Sequence, residues 1–176
     1  MTIKPDEDAS RRESRRQFVR RALAGGVGAT VAAAGSGSGA AAQVAGPIRA
    51  FDHVAIPMRN TDAMLAFYRA LGFSVMEGEN ICSVHFGDNK INLHRPEFWQ
   101  GGTFTLRAPA AEPPCGDFCF VWDDTATALR EMLDRAGVEI LIGPVARTGG
   151  RDGGTASGTS HYLRDPDGNL LEFIVY

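Results

Sequence analysis

The sequence has few cysteines, no long hydrophobic run and no excess of basic charge, and each of these shortages excludes a class of protein. Three cysteines among 176 residues cannot form a disulfide framework, because at least one of them stays unpaired. Residues 1–42 carry seven basic and four acidic residues, which leaves a net charge of −6 for residues 43–176. That acidic part lacks the concentrated Lys and Arg that bind nucleic acid or anionic membranes. Its length predicts one domain with a substantial core.

The amino end has the three parts of an export signal. Paired arginines, Arg15 and Arg16, precede an aromatic residue in a basic head, a weakly apolar segment follows, and residues 40–42 resemble a cleavage site. This pattern predicts a twin-arginine signal over residues 1–42, a linker over residues 43–49 and a periplasmic or secreted mature protein. The glycine-rich apolar segment is too weak to span a bilayer, so we expect no membrane span after cleavage. The twin-arginine route carries folded proteins, often with a cofactor already bound, so this signal favours a metalloprotein.

The remaining chain repeats one order of elements. In residues 50–108, a strand precedes an amphipathic helix that starts after Asn60 and ends before Gly72, and three strands follow, at residues 73–76, 81–86 and 90–94. Residues 115–176 repeat the order, with strands at residues 117–122, 138–142, 160–164 and 169–175 and a helix closed by Gly137. The repeat predicts an α+β fold of two βαβββ modules that form one curved mixed sheet, a cup-like half-barrel with the helices outside.

Several segments carry a resemblance to a known family: DHVAIPM, FYRALGF, INLH and RDPDGNLLEF. Together they resemble the vicinal oxygen chelate superfamily, which includes glyoxalase I, extradiol dioxygenases and the fosfomycin and bleomycin resistance proteins. Residues 50–176 share this resemblance, which is strongest to the small, dioxygenase-like glyoxalase-domain proteins. It implies a divalent metal that two vicinal oxygens of a substrate reach in the cup of the sheet.

Four metal-capable side chains alternate with apolar residues along predicted strands, so they project away from the helices: His53, His94, Asp117 and Glu172. The resemblance implies that the ligands come from the first and last strands of each module, which gives His53, His94 and Glu172, with Asp117 in the fourth position. These donors suit a divalent transition metal, namely Fe, Mn, Ni, Co or Zn. Relatives commonly carry His or Gln at the position of Asp117. Without Asp117, a two-His-one-carboxylate triad remains, which suits Fe(II).

Other polar residues are expected near these ligands. A three-residue hairpin loop would pair Tyr162 with Glu172, so that the tyrosine hydroxyl reaches a bound substrate. Residues 143–159 are glycine-rich and are interpreted as a mobile lid whose arginines grip a substrate anion, and further substrate contacts are expected from nearby side chains: Arg147, Arg151, Cys119 and Trp99. The opposite strand parity of His85 and His161 predicts that they point away from the cup.

The leading interpretation is an exported metalloenzyme of glyoxalase type, an isomerase or lyase, in which the metal acts as a Lewis acid and Glu172 or Asp117 moves the proton. Two alternatives stay open. One is an Fe(II)-dependent extradiol-type ring-cleaving dioxygenase, and the other is a non-catalytic protein that sequesters a small molecule, as bleomycin resistance proteins do. Export counts against a glutathione conjugate as substrate. A small-molecule substrate is the expected partner, and a homodimer is compatible with the sequence.

Overall fold

The computed structural model describes residues 46–176, so the predicted signal over residues 1–42 lies outside the described residues. The first module contains four strands and two helices: β1 (His53–Pro57), α1 (Thr61–Ala70), β2 (Ser74–Met76), β3 (Ile81–Phe86), β4 (Asn89–His94) and α2 (Pro96–Gln100). The second contains β5 (Asp117–Val121), α3 (Ala126–Arg135), β6 (Ile142–Thr148), the helical turn α4 (Arg151–Gly154), β7 (Ser157–Arg164) and β8 (Leu170–Val175). The repeated βαβββ order and the α+β class are confirmed.

The eight strands form two four-stranded mixed sheets with equivalent topology. Their strand orders are β1-β4-β3-β2 and β5-β8-β7-β6. In each sheet the first strand of the module lies at an edge and pairs in parallel with the last strand, while the other pairs are antiparallel. The curved sheet predicted from the sequence is therefore divided, within one chain, into two open sheets whose β1 and β5 edges have no strand partner among the described residues.

The ends of the main helices follow the signals in the sequence. Helix α1 starts after Asn60 and is followed by Gly72, whose φ of +87° is the left-handed conformation that glycine favours at this position. Helix α3 is capped by Thr125, whose side chain accepts a hydrogen bond from the Ala128 amide. Among residues 46–176, no helix has the length and apolar content required to cross a membrane.

The helix-facing sides of both sheets share one hydrophobic core. Apolar residues that alternate along the strands, together with Leu65 and Leu129 of the helices, are buried there. Aromatic rings join the two modules, since Phe120 of β5 lies 5.0 Å from both Phe73 and Phe86 of the first module, measured between ring centroids. Edge-to-face packing of this kind adds to the energy of burial. The core therefore fixes the position of the two sheets relative to each other.

Strand β6 differs from the sequence-based expectation. A strand was predicted at residues 138–142 and a mobile lid over residues 143–159, whereas β6 runs over Ile142–Thr148 and pairs with β7. A register shift between Ile142 and Val145 accommodates Pro144. An edge strand tolerates proline because its outer N–H groups need no partner. The predicted lid is wrong for most of its length, and Arg147 lies on a strand.

A buried histidine on β7 predicts a pH-dependent stability. His161 is 1% exposed, and neither ring nitrogen has a hydrogen-bond partner among the residues described. Burial, with a smaller effect of the Arg130 charge, lowers the pKa of His161. As the pH falls below about 6.5, the unfolded chain is therefore protonated at this histidine before the folded chain is. The free energy of unfolding decreases from its value at neutral pH until the pH reaches the lower pKa of the folded state.

We expect His161→Leu to remove this part of the acid sensitivity. Wild type should lose up to about 1.4 kcal/mol of unfolding free energy per pH unit relative to the variant within that window. Urea unfolding of both proteins at pH 8, 6 and 5 measures the difference. Parallel stability curves for the two proteins would contradict the assignment.

Candidate functional site

The helix-free face of the first sheet carries a set of polar side chains, here named the first half-site: His53, Ser83, His85, Lys90 and Asn92. The strand register places them side by side, because His53 pairs with Lys90, which pairs in turn with His85, while Asn92 pairs with Ser83. Their neighbours along each strand face the core instead. His53 lies on the edge strand β1 with 46% of its side chain exposed, and its Nδ1 is 2.6 Å from Asp52 Oδ1. This contact lowers the pKa of Asp52.

The register separates His53 from His94, which were both predicted to bind one metal ion. His94 lies opposite Pro57, which is four residues after His53 in β1. The two histidines are therefore separated by about 13 Å along the strands. Its ring is 4% exposed and packs edge-on against Phe98 and Phe104, at 5.6 and 5.1 Å between centroids. Burial, followed by the Arg107 charge, lowers its pKa, which favours the neutral imidazole. The two histidines therefore do not meet at one site within the chain.

The position equivalent to Glu172 in the first module is Asn92, and not His94, the ligand that was expected from the last strand of that module. Asn92 pairs with Ala55, two residues after His53, just as Glu172 pairs with Cys119, two residues after Asp117. The prediction for His85 is also wrong, because its Nε2 lies 2.8 Å from Ser83 Oγ on the helix-free face. His161 does face the helices, as predicted, since it pairs with the core residue Phe173.

The second sheet carries the second half-site on its helix-free face: Asp117, Cys119, Arg147, Ser160, Tyr162 and Glu172. Tyr162 pairs with Glu172 across β7 and β8, as predicted from the hairpin loop. The Ser160 hydroxyl donates a hydrogen bond to the Glu172 carboxylate. Arg147 Nε donates to the Tyr162 hydroxyl oxygen at 2.9 Å, and its guanidinium lies 5.4 Å from the ring centroid. The half-site thus joins a carboxylate, a phenol and a guanidinium.

The surroundings of Cys119 favour the neutral thiol, although the side chain is exposed to solvent in part. Burial and then the neighbouring Glu172 carboxylate raise its pKa to about 12. A nucleophile or an anionic metal ligand requires the thiolate. Cys119 therefore lies beside Glu172 as a neutral thiol, and its expected contact with a substrate stays a prediction.

Two of the residues expected to contact substrate lie away from Glu172. Arg151 packs on the ring of Tyr176, with 4.5 Å between its Cζ and the ring centroid. Trp99 donates its indole N–H to the Met58 carbonyl at 2.9 Å and lies beside Arg107. Neither contact brings these side chains to the second half-site. Arg147 alone among the predicted arginines lies there.

The predicted ligands do not converge within one chain. Among residues 46–176, no group of three or more His, Cys, Asp or Glu side chains is arranged to hold a metal ion. His53 belongs to one half-site and Asp117 and Glu172 belong to the other. Both half-sites begin on an edge strand, β1 or β5, whose outer backbone groups have no strand partner in the described part of the chain. Such edges are surfaces onto which a further strand can be added.

Comparisons with known proteins agree with this fold. The family model described as Glyoxalase/Bleomycin resistance protein/Dioxygenase superfamily matches residues 50–173. A glyoxalase domain-containing protein, RDO1, of Mycosarcoma maydis is 35% identical over 130 residues, which are 73% of this chain and 69% of that protein. The crystal structure of virulence protein STM3117 from Salmonella typhimurium is 34% identical with a TM-score of 0.64, covering 73% of this chain and 98% of the other.

A more distant structure shares the fold alone. Lactoylglutathione lyase from Agrobacterium tumefaciens is 22% identical, with a TM-score of 0.54 over 74% of this chain and 96% of its own. The description of the matched superfamily itself names both dioxygenases and resistance proteins. The extent of the family match and the identity to the two relatives lead to one conclusion. The chain belongs to the glyoxalase/bleomycin resistance protein/dioxygenase superfamily, the vicinal oxygen chelate proteins.

Proposed function

We propose that the protein is an exported, divalent-metal-dependent enzyme of glyoxalase type, an isomerase or lyase whose small substrate chelates the metal through vicinal oxygens. The observation that carries this proposal is the second half-site, where Tyr162 lies directly opposite Glu172 and Arg147 holds the tyrosine hydroxyl. A carboxylate and a phenol on one face can move and donate protons to adjacent substrate oxygens. The paired arginines near the amino end support export.

The donors fit a metal ion only when two copies of the chain contribute. One chain supplies an imidazole in the first half-site and carboxylates in the second, and these do not form a group of three. His53 of one copy with Asp117 and Glu172 of a second copy would give a mixed nitrogen and oxygen set suited to a transition metal. We therefore propose a homodimer in which the first half-site of each copy faces the second half-site of the other.

Charge and strand edges support this dimer. The first half-site contains Lys90 and two imidazoles, whereas the second contains two carboxylates, Asp117 and Glu172, and one guanidinium, Arg147, so that its net charge is opposite to that of the first. The edge strands β1 and β5 could also pair between copies and extend the two sheets into one, the curved sheet that the sequence predicts. Val121 of β5 is 48% exposed, which is a large fraction for a valine and suits a covered edge.

The chemistry follows from the residues of the second half-site. A bound metal would act as a Lewis acid towards the vicinal oxygens of the substrate. Glu172 accepts a substrate proton, and the Ser160 hydroxyl orients the receiving carboxylate. Because Arg147 donates to the Tyr162 oxygen, the tyrosine O–H remains directed to another acceptor, which we assign to a substrate oxygen. The positive guanidinium also favours an oxyanion beside it.

Sequestration without catalysis is the second candidate, and the absence of a three-donor group within residues 46–176 favours it. The triad that favoured the dioxygenase alternative does not form within the described residues, because the register separates His94 from His53. Purified folded protein, measured by light scattering and elemental analysis, distinguishes the two candidates. We expect a dimer with one transition ion per chain and loss of the ion on dilution to monomers. A metal-free dimer, even after incubation with Fe, Mn, Ni, Co or Zn, would favour sequestration.

A further inference from the structure

A cleft of about 530 Å³ lies between the two modules of one chain. The first module contributes the end of α1 and the β3–β4 turn, and the second contributes strand β5 and the residue after it. Five aromatic side chains line it: Phe73, Phe86, Phe120, Trp122 and Phe173. Its size is within the range of small-molecule sites, which are mostly apolar with a few placed polar groups. Because the aromatic core of the two modules forms its walls, the cleft is part of the rigid fold.

No formally charged side chain lines this cleft. Its polar side chains are His85, Asn89 and Cys119, and the rest of the lining is apolar or glycine. A charged ligand would lose hydration there without gaining an ion pair, which is costly. A neutral ligand with a large apolar surface matches the lining, and a planar ring can pack against the exposed ring edges. The composition of the wall thus selects an uncharged aromatic molecule.

His85 has a fixed orientation in the cleft. Its Nε2 lies 2.8 Å from Ser83 Oγ, a contact that holds the ring. Nδ1 makes no hydrogen bond to any residue in the part of the chain that is described, so a ligand can use this nitrogen, which accepts or donates according to the tautomer. The amide nitrogen of Asn89 donates to the Phe51 carbonyl, which leaves its oxygen as an acceptor. Two polar positions at one end of an apolar cleft can orient a ligand that has a single polar end.

We propose that this cleft binds an uncharged planar aromatic molecule that carries a hydroxyl or carbonyl oxygen, with His85 Nδ1 bonded to that oxygen. All lining residues belong to a single chain, and two of them also belong to the half-sites: His85 to the first and Cys119 to the second. Because one chain forms the whole cleft, the proposal needs neither a metal ion nor a second copy of the chain.

Titration of the full chain with 2-naphthol tests the site, and Trp122 is its reporter. The chain has two tryptophans, so Trp99→Phe leaves Trp122 as the only one. We expect saturable quenching of Trp122 fluorescence in this background. His85→Ala should raise Kd about five- to tenfold, since the ligand loses its hydrogen bond, and Ser83→Ala should raise it less. Val121→Trp should abolish binding by filling the cleft. Tyr162→Phe, a change in the second half-site, is the matched control and should leave Kd within about twofold.

Circular dichroism and light scattering on every variant show whether the fold and the molar mass are retained. Quenching that does not saturate would overturn the proposal, and so would a Kd unchanged in both His85→Ala and Val121→Trp. Binding that Tyr162→Phe weakens while His85→Ala does not would place the ligand in the second half-site and equally overturn it. If 2-naphthol dissociated the dimers, the cleft would be a contact surface for a second copy of the chain, and the proposal would be overturned. The metal content of wild type is measured separately, so failure here leaves the proposed function standing.

Discussion

Asp167→Ala is expected to lower the free energy of unfolding by about 2–3 kcal/mol, because three donors on the exposed residues Arg59 and Asn60 lose a buried acceptor. The Asp167 carboxylate is 5% exposed and accepts hydrogen bonds from the Arg59 amide, the Asn60 amide and the Asn60 side chain, at 2.6, 3.0 and 2.7 Å. These donors follow β1 of the first module, whereas Asp167 lies in the β7–β8 loop of the second. The carboxylate therefore connects the two modules.

A neighbouring carboxylate completes this connection. Asp165, also 5% exposed, accepts hydrogen bonds from the Tyr68 hydroxyl at 3.1 Å and from the amide and side chain of Asn169. Burial raises the pKa of both Asp165 and Tyr68. The DPDGN segment that contributed to the family resemblance thus has a structural role at the module junction, separate from the half-sites.

Urea unfolding of Asp167→Ala beside Asp88→Ala measures the effect. Asp88 lies exposed in the β3–β4 turn, and its removal should change stability by no more than about 0.5 kcal/mol. Asp167→Asn should fall between the two, since one amide oxygen remains as an acceptor. Equal stability of the two alanine variants would show that the connection between the modules contributes little.

His53→Ala and Glu172→Ala are each expected to lower the affinity for a transition ion at least a hundredfold. Loss of a residue that only supports a metal ligand costs up to about a hundredfold, and these two changes remove a ligand itself. The proposed site takes its imidazole from one half-site and its carboxylates from the other, so either change removes a ligand that has no substitute. His85→Ala and Glu131→Gln are matched controls, one an imidazole of the same face and one an exposed carboxylate on α3. Competition with a chromophoric chelator gives the affinities, and equal loss in the controls would contradict the assignment.

The elements and their faces could be predicted from the sequence where local signals fix them. Alternation along β1 and β4 correctly indicated that Leu93 lies in the core and that Val54 packs against it, and Gly72 correctly marked the end of α1. The loop before Asn169 fixed the pairing of Tyr162 with Glu172, because a short hairpin sets the register of its strands. These features depend on residues close together in the chain.

The register of the parallel strands could not be predicted in the same way. No tight turn joins β1 to β4, so nothing local indicates that His53 pairs with Lys90 and that His94 lies four residues away. The error at His85 has a different cause. The predicted strands at residues 81–86 and 90–94 leave a three-residue turn, which would pair Phe86 with Lys90. In the structure Phe86 pairs with Asn89, and this shift of one residue reverses the face of every side chain in the strand. A two-residue turn at residues 87–88 would have predicted the observed register.

The remaining errors of prediction concern contacts between residues that are far apart in the chain. The predicted single sheet is two sheets within one chain, and this division depends on how the modules pack through Phe120, not on any strand pattern. Strand β6 was missed because its proline and glycine residues are typical of a loop, and pairing with β7 along a sheet edge overrides that preference. Helix α2 had no counterpart among the predicted elements.

Mixing two inactive variants tests most directly whether the site forms between copies. In a heterodimer of His53→Ala and Glu172→Ala, one site receives both substitutions and the other receives neither. Random exchange of subunits makes half of the dimers heterodimers, so metal binding should recover to about one quarter of the wild-type level. Light scattering confirms that the mixture is dimeric. Recovery to that level supports a site shared by two chains, and no recovery in a mixture that has exchanged its subunits would contradict it.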